Sequence, residues 1–275
     1  MPTKTKVRNM FDSIAGDYDA LNHILSLDVD KIWRRKALKQ IVDAPAPVQV
    51  LDLACGTGDF SIAIAKALSR SHKRVGTPIE AHVKAPAKAP VEAQVTSTGF
   101  VTGDSGRSDL MTKGHVTGVD LSEGMLAVMR EKVGKAGLTE MISIEEGDGE
   151  NLRFPDNTFD RVTIAFGIRN FEDRPKGLRE MLRVLKPGGR LVILELSRPE
   201  NKIIRWFYDL YFLHILPKVG GKVSGDKAAY AYLPASVAAF PGKKAFMATM
   251  REAGFRTVTH KAFTLGICRM YTGEK

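Results

Sequence analysis

The stretch "LDLACGTGDF", Leu51 to Phe60, decides the fold. A short apolar strand over 48–53 runs into Gly56 and Gly58, and a helical pattern follows from Phe60. Strand, glycine turn and helix in that order form the entry to a nucleotide-type site at the carboxyl edge of an α/β sheet. The third glycine of a dinucleotide fingerprint would fall at position 61, which is Ser61. The lysine of a phosphate-cradling loop is missing as well. The turn lets a ligand approach the backbone closely, and nothing in it is made for a pyrophosphate.

Working outward, strands and helices alternate. A strand at 116–119 leads to a helix over 122–136, with Ser122 as N-cap and Gly137 as stop. A short strand at 142–145, a strand at 160–166, a helix at 175–185 and a strand at 190–196 continue the rhythm. This alternation implies an α/β fold with a mostly parallel sheet and helices on both faces. Upstream, 4–43 reads as helices, with Leu21, Ile24 and Leu25, then Ile32, Trp33, Leu38 and Ile41, at spacings that line one side. Downstream, 203–216 is an aromatic helix carrying Trp206, Phe207, Tyr208, Tyr211 and Phe212. A Gly/Lys loop, a segment with Tyr230 and Tyr232, and a helix over 243–253 follow. Strands at 255–263 and 266–271 close the chain as an antiparallel pair. Residues 71–114, Ala/Pro/Lys/Val-rich and then Gly/Ser-rich, break the rhythm. Their composition favours a flexible insertion into a single domain spanning 1–275, the other reading being a partner-binding or surface-tethering arm.

The 41 basic and 31 acidic residues give a net charge of +10. That balance fits an anionic partner, whether nucleic acid, an anionic membrane face or an acidic small molecule, and equally a merely soluble basic enzyme. Two cysteines, Cys55 and Cys268, make no disulfide framework and no metal-ligand spacing, which fits a reducing cytoplasm. Cys55 sits inside the glycine turn and reads as packing. The six histidines form no His-x-x-x-His pair, so no structural metal is expected. The N-terminus lacks the apolar region of a secretory signal, and no apolar run is long enough to span a bilayer.

The second diagnostic group is an acidic residue at the end of the next strand, placed to accept from ribose hydroxyls. "VTGVDLSEGM" puts Asp120 there. The usual separation from the glycine motif is about 20 residues, and removing the insertion restores it. Asp52 and Asp59 flank the turn, and Asp148 ends the third strand. A loop ringed by carboxylates repels phosphate and suits a cationic, phosphate-free nucleoside such as S-adenosylmethionine. Each aspartate alone is equally readable as a helix cap or turn residue.

"VRNMFDSIAGDYDALNHILS", "VLDLACGTGDF", "VTGVDLSEGML", "FPDNTFDRVTIAFGIRN", "RVLKPGGRLVILELSRP" and "AAYAYLPASV" follow one another in order. Together they resemble the class I methyltransferases that C-methylate the ring of menaquinone or ubiquinone precursors, over about 7–70 and 115–275. "FDSIAGDYD" with "AFGIRN" is far more specific than the glycine loop. The resemblance implies a Rossmann-like seven-stranded sheet with its last strand antiparallel, and S-adenosylmethionine as methyl donor. It implies cofactor positions at Asp52, Gly56, Thr57 and Gly58, at Asp120 on the ribose, and at Asp148 and Gly149 beside the adenine. Ala165 stands where the family often has serine, so one hydroxyl contact is missing. Asp148-Gly149 replaces a more usual Asn/Asp-Ala pair, and the insertion is the largest departure.

Methyl transfer is an in-line displacement at a sulfonium carbon, here by an aromatic ring carbon made electron-rich by neighbouring hydroxyls. The site must align the two and help remove protons. Arg169 is a candidate to stabilise a phenolate, with pairing to a carboxylate as its other reading. Tyr18 and Asp19 are candidates to close over the methionine end or the ring. His214 and Asp226 are base candidates, His214 reading equally as structural in its apolar run. The resemblance implies a substrate with an isoprenoid tail, for which the aromatic helix either lines a pocket or packs in the core. A lipid substrate also accounts for the basic surface through peripheral contact with an anionic membrane face, in a cytoplasmic protein. The leading expectation is methylation of demethylmenaquinol to menaquinol, with a ubiquinone-precursor benzoquinol as alternative. A nucleic-acid methyltransferase fits less well, since "AFGIRN" stands where an amine-methylating Asn/Asp-Pro-Pro-aromatic motif would be, and neither cysteine follows a proline. A non-catalytic binding protein on the same fold is the third reading, and oligomeric state, including a homo-oligomer, stays open.

Overall fold

The computed structural model of the chain describes residues 3–16, 18–19, 28–43, 48–75, 114–211 and 227–275. Helices α1 (Lys4–Ile14) and α2 (Val29–Ile41) precede the sheet. Then come β1 (Gln49–Leu53), α3 (Asp59–Val75), β2 (His115–Asp120), α4 (Glu123–Lys135), β3 (Ile142–Glu146) and β4 (Phe159–Ala165). They are followed by α5 (Arg174–Val184), β5 (Leu185–Leu196), α6 (Lys202–Leu210), α7 (Lys227–Ala239), α8 (Lys243–Glu252), β6 (Arg256–Phe263) and β7 (Cys268–Glu274). The sheet has seven strands in the order β3-β2-β1-β4-β5-β7-β6. β1 to β5 are mutually parallel, and β7 inserts antiparallel to both β5 and β6. The expected α/β sheet with an antiparallel end is the one observed.

The two-residue period of β1 divides the core. Leu51 and Leu53 face one layer with Leu178 and Met181 of α5 and Phe246 and Met250 of α8. Val48 and Val50 face the other with Trp33 of α2, Ile64 of α3 and Leu126 of α4. Apolar residues on both faces of the central strands explain their near-continuous hydrophobic runs. Ser122 caps α4 by accepting from the Met125 amide at 3.1 Å, and Asp173 caps α5 by accepting from Lys176 at 2.9 Å.

Several expectations shift. The helix after the glycine turn runs through Val75, so five of the residues assigned to the insertion are helical; 76–113 lie outside the described residues. In α2 the buried stripe is Asp30, Trp33, Ala37 and Ile41, and Ile32 is exposed, because it lies about 100° around the helix from Trp33. β5 begins at Leu185, and the Lys186–Gly189 turn bulges out where the register with β4 jumps from Phe159↔Leu185 to Arg161↔Arg190. Gly188 has φ of 75° there, a conformation glycine adopts freely. The segment with Tyr230 and Tyr232 belongs to helix α7. Leu21, Ile24, Leu25 and Phe212 lie outside the described residues. Among the described residues no helix is long and apolar enough to cross a membrane.

Phe246 is fully buried, with its ring 4.8 Å from those of Phe240 and Tyr271. Phe246→Ala is expected to lower stability by about 3–5 kcal/mol, read as a lower urea midpoint at unchanged slope.

Candidate active site

At the end of β1 the backbone turns through three positive φ values: Ala54 at 49°, Gly56 at 56° and Gly58 at 83°. Gly58 has a second reason to be glycine, because a Cβ there would collide with the Met129 side chain of α4. Cys55 is packing, as expected: its amide donates to the Val119 carbonyl at 3.1 Å and its sulfur lies 3.5 Å from Met129 Sδ.

The turn presents the Gly56 amide to Asp120 Oδ2 at 2.9 Å, while Asp120 Oδ1 accepts from the Ser122 amide at 2.9 Å. One carboxylate thus ties the glycine turn to the start of α4. Burial pushes the Asp120 carboxyl up, opposed by hydrogen bonds from Ser122, Gly56 and Leu121. Beside it a pocket opens at the carboxyl edge of the sheet, lined by Ala54, Gly56, Asp120, Asp148, Gly149 and Ala165 among others. A Cβ at Gly149 would strike the Phe171 ring, so glycine leaves that aromatic wall in place. Backbone, the carboxylates of Asp120, Asp148 and Glu150, and the apolar walls of Met125, Phe166 and Phe171 suit a nucleoside bearing a ribose diol and a flat base. With no lysine in the turn, this donor set fits S-adenosylmethionine.

The charge pattern is less one-sided than the sequence suggested. Asp52 does not line the pocket; it is buried beneath the turn, where its carboxylate accepts from Ser61 Oγ at 2.6 Å and joins β1 to α3. Asp59 faces Arg34 at 3.2 Å and also pairs with Lys132. Two of the four expected aspartates, Asp120 and Asp148, reach the pocket, joined by Glu150 and by Lys4 and Arg8 of α1.

Helix α1 and the residues after it cover this pocket. Lys4 Nζ pairs with Asp148 at 2.6 Å and Glu150 at 2.9 Å. Asp12 accepts from Ser122 Oγ at 2.5 Å and from the Gly124 amide at 3.1 Å. Tyr18 lines the pocket, edge-on to Phe11 with centroids 6.0 Å apart. Asp19 accepts from Thr57 Oγ1 at 2.5 Å and pairs with Lys132 at 2.6 Å. Thr57 is therefore buried and turned to Asp19, away from the pocket lining. Lys4, Asp12 and Lys132 escaped the sequence reading. Asp12 lay inside the "FDSIAGDYD" stretch that carried the resemblance, whereas nothing local marks Lys4 or Lys132.

Arg169 takes the second of its two readings, pairing with a carboxylate. It is buried, with its guanidinium 2.8 Å from the fully buried Glu195, bonded to the Phe166 carbonyl, and its Nε 3.3 Å from Ser236 Oγ. Burial alone would lower its pKa; Glu195 more than offsets that and holds it above the ordinary value. Its positive charge is matched by the Glu195 carboxylate. Its neighbour Asn170 lines the pocket and accepts from the Tyr232 hydroxyl at 2.9 Å. His214 and Asp226 lie outside the described residues.

Two predictions follow from these buried charges. Glu195→Gln leaves Arg169 unpaired and is expected to destabilise by about 3–5 kcal/mol, measured by urea unfolding. Burial, working against the Ser61 hydrogen bond and Arg34, pushes the Asp52 carboxyl up to about 7 from 3.8. The folded state therefore holds this proton more tightly, and its stability falls as pH rises from about 4 to about 7. Asp52→Asn removes that dependence. Its stability relative to the parent chain should rise across that window, by at most on the order of 4 kcal/mol, and stay flat below it.

The comparisons with known proteins agree with this geometry. The model of the ubiE/COQ5 methyltransferase family matches residues 2–275. The chain is 43% identical to the ubiquinone/menaquinone biosynthesis C-methyltransferase UbiE of Geobacter sulfurreducens, over 98% of this chain and 88% of that one. It is 42% identical to the demethylmenaquinone methyltransferase of Deinococcus radiodurans, over 98% and 92%. Among solved structures, a SAM-dependent methyltransferase from Thermotoga maritima superposes with a TM-score of 0.55 at 17% identity, covering 97% of this chain and 99% of that one. The cyclase SpnF reaches 0.62 at 15% identity, covering 100% and 96%. The two structural likenesses speak for the fold alone, since a cyclase shares it. The match along almost the whole sequence, with a pocket suited to the methyl donor, places the chain in the ubiE/COQ5 methyltransferase family, as an enzyme that uses S-adenosylmethionine.

Proposed function

We propose that the chain methylates the ring carbon of demethylmenaquinol to give menaquinol. The observation that carries the reading is the Asp120 carboxylate, fixed by Gly56 and Ser122 in a pocket that α1 covers. The names of the relatives supply the acceptor. When bound, S-adenosylmethionine supplies an electrophilic methyl group on a sulfonium. Asp120 would hold its ribose hydroxyls, and Asp148 and Gly149 would meet its base. Gly56 and Gly58 let the backbone come close, while Thr57 and Asp52 support the turn from behind. Ala165 leaves an apolar patch where a hydroxyl would otherwise contact the cofactor. Tyr18 closes the pocket toward the acceptor, and Asp19, held by Thr57 and Lys132, anchors that closure and excludes water. Arg169 positions Asn170, and the Asn170–Tyr232 hydrogen bond faces the acceptor side, where it orients a ring hydroxyl.

The naming of the Geobacter relative for both quinones favours a second acceptor, a ubiquinone-precursor benzoquinol. The protein acts as one cytoplasmic domain. Its net charge of +10 supports peripheral contact with the anionic membrane face where an isoprenoid quinol resides. Nucleic acid is not a substrate in this reading.

Methyl transfer from labelled S-adenosylmethionine is the test, with reduced demethylmenaquinone in detergent and bulk RNA as competing acceptors. Label is expected in the quinone, falling at least about 100-fold in Asp120→Ala as two charge-assisted contacts are lost. Label in RNA and none in the quinol would overturn the proposal.

A further inference from the structure

We propose that helix α6 and the basic cleft beside it form the surface by which the protein docks on a bilayer of anionic phospholipid. Only the relevance of a membrane rests on the quinol reading above; the surface itself is read from exposure and charge. Ile203, Trp206, Phe207 and Leu210 recur at spacings of three, one and three residues along α6, which puts them on one face. They are 71%, 61%, 60% and 41% exposed. Among the described residues, large exposed hydrophobic side chains occur at six positions, and these are four of them. A fifth, Leu265, stands on the turn Thr264–Gly266, whose Gly266 carbonyl accepts from Ser197 Oγ at 2.7 Å, just before α6. The sixth, Ile32, adjoins Trp33, whose Nε1 donates to Thr264 Oγ1 at 2.9 Å on the same turn. Five of the six thus lie on α6 or on the turn bonded to the chain just before it. Their exposure sets aside the core reading of Trp206 and Phe207.

The helix is held in register for this role. Asn201 caps it by accepting from the Ile203 and Ile204 amides at 2.9 and 3.2 Å. Its opposite face is anchored by buried Tyr208, which lies within electrostatic reach of Arg169. Strand β5 is parallel to β1 through β4, so α6, starting shortly after β5, sits at the same sheet edge as the pocket. A membrane on the outer face of α6 would lie over the acceptor side.

The occupant is argued from charge. Beside the start of α6 lies a cleft of about 250 Å³ lined by Arg198, Arg205, Lys243 and Arg269, with Glu200 as its one lining carboxylate. Glu200 serves both Lys243 at 2.8 Å and Arg269 at 3.1 Å, and Arg198 turns to Asp209 at 2.7 Å. The excess of positive charge registers on His260, whose pKa is lowered by partial burial and then by Arg269 and Lys243. An aromatic and aliphatic face beside a cationic cleft matches acyl chains beside phosphate headgroups. A second copy docked two-fold through this face would set the same cations against each other.

The chain has two tryptophans, and Trp33 is buried, so a vesicle-induced change in emission reports Trp206. With vesicles of phosphatidylglycerol and phosphatidylcholine, the full-length protein should sediment, its emission should shift to the blue, and brominated acyl chains should quench it. The double variant Ile203→Ser/Phe207→Ser should partition at least about tenfold more weakly, with S-adenosylmethionine affinity by calorimetry unchanged as proof of folding. Arg205→Gln/Lys243→Gln should lose the preference for phosphatidylglycerol over pure phosphatidylcholine. Vesicle binding of the serine variant equal to that of the parent would sink the assignment to α6 and leave the peripheral-membrane reading standing. Failure of the parent to bind either vesicle would overturn both. A parent dimer that the serine variant dissociates would overturn the bilayer in favour of a second copy.

Discussion

The Asp120 carboxylate is the constraint on which the site depends. It accepts from the Gly56 amide on one side and the Ser122 amide on the other, so it fixes the glycine turn after β1 against the start of α4. An anion at the N-terminus of a helix is favoured by the orphan amides and the dipole there. The geometry works only because β1 and β2 are adjacent and in register, with Leu53 opposite Val119, and because Gly56 and Gly58 take positive φ.

A second layer of polar contacts closes around that centre. Asp12 reaches the same Ser122 that caps α4, Lys4 reaches Asp148 and Glu150, and Asp19 reaches Thr57 and Lys132. These contacts join the N-terminal segment to three different strand ends. Most are partly exposed, so each is worth little alone. The Arg169–Glu195 pair is different in kind. It is buried, adds little net stability against an apolar pair, and is costly to break from one side. Its effect is to fix the chain beside Asn170, which lines the pocket just after the fourth strand.

The surface of α6 connects site and environment. Tyr208 looks inward toward Arg169, while Trp206 and Phe207 look outward with ring centroids 4.8 Å apart. A substrate with a long apolar tail leaves a bilayer at high cost in exposed hydrocarbon. On the docking proposed for α6, an acceptor side that opened toward the membrane would avoid much of that cost.

The sequence by itself determined the sheet and the turn. The two-residue and 3.6-residue periods locate strands and helices because burial on a pleated or helical surface imposes those repeats. Glycines at 56 and 58 mark the turn because few other residues accept its φ values, and Asp120 follows as the acid at the end of the next strand. What each aspartate faces was not legible: Asp52 and Asp59 flank the same turn as the ligand side does, yet they point to Ser61 and to Arg34 and Lys132. A side chain's direction depends on partners that lie anywhere from about 30 Å to several hundred ångströms away along an extended chain, not on its immediate neighbours. The pairing of Arg169 with Glu195, 26 residues on, and the bond of Lys4 to Asp148, 144 residues on, belong to the same class. So does the outward face of α6, whose aromatic composition alone suits a core, a pocket or a membrane. Only the packed fold, by burying Tyr208 and leaving Trp206 and Phe207 in solvent, decided between them.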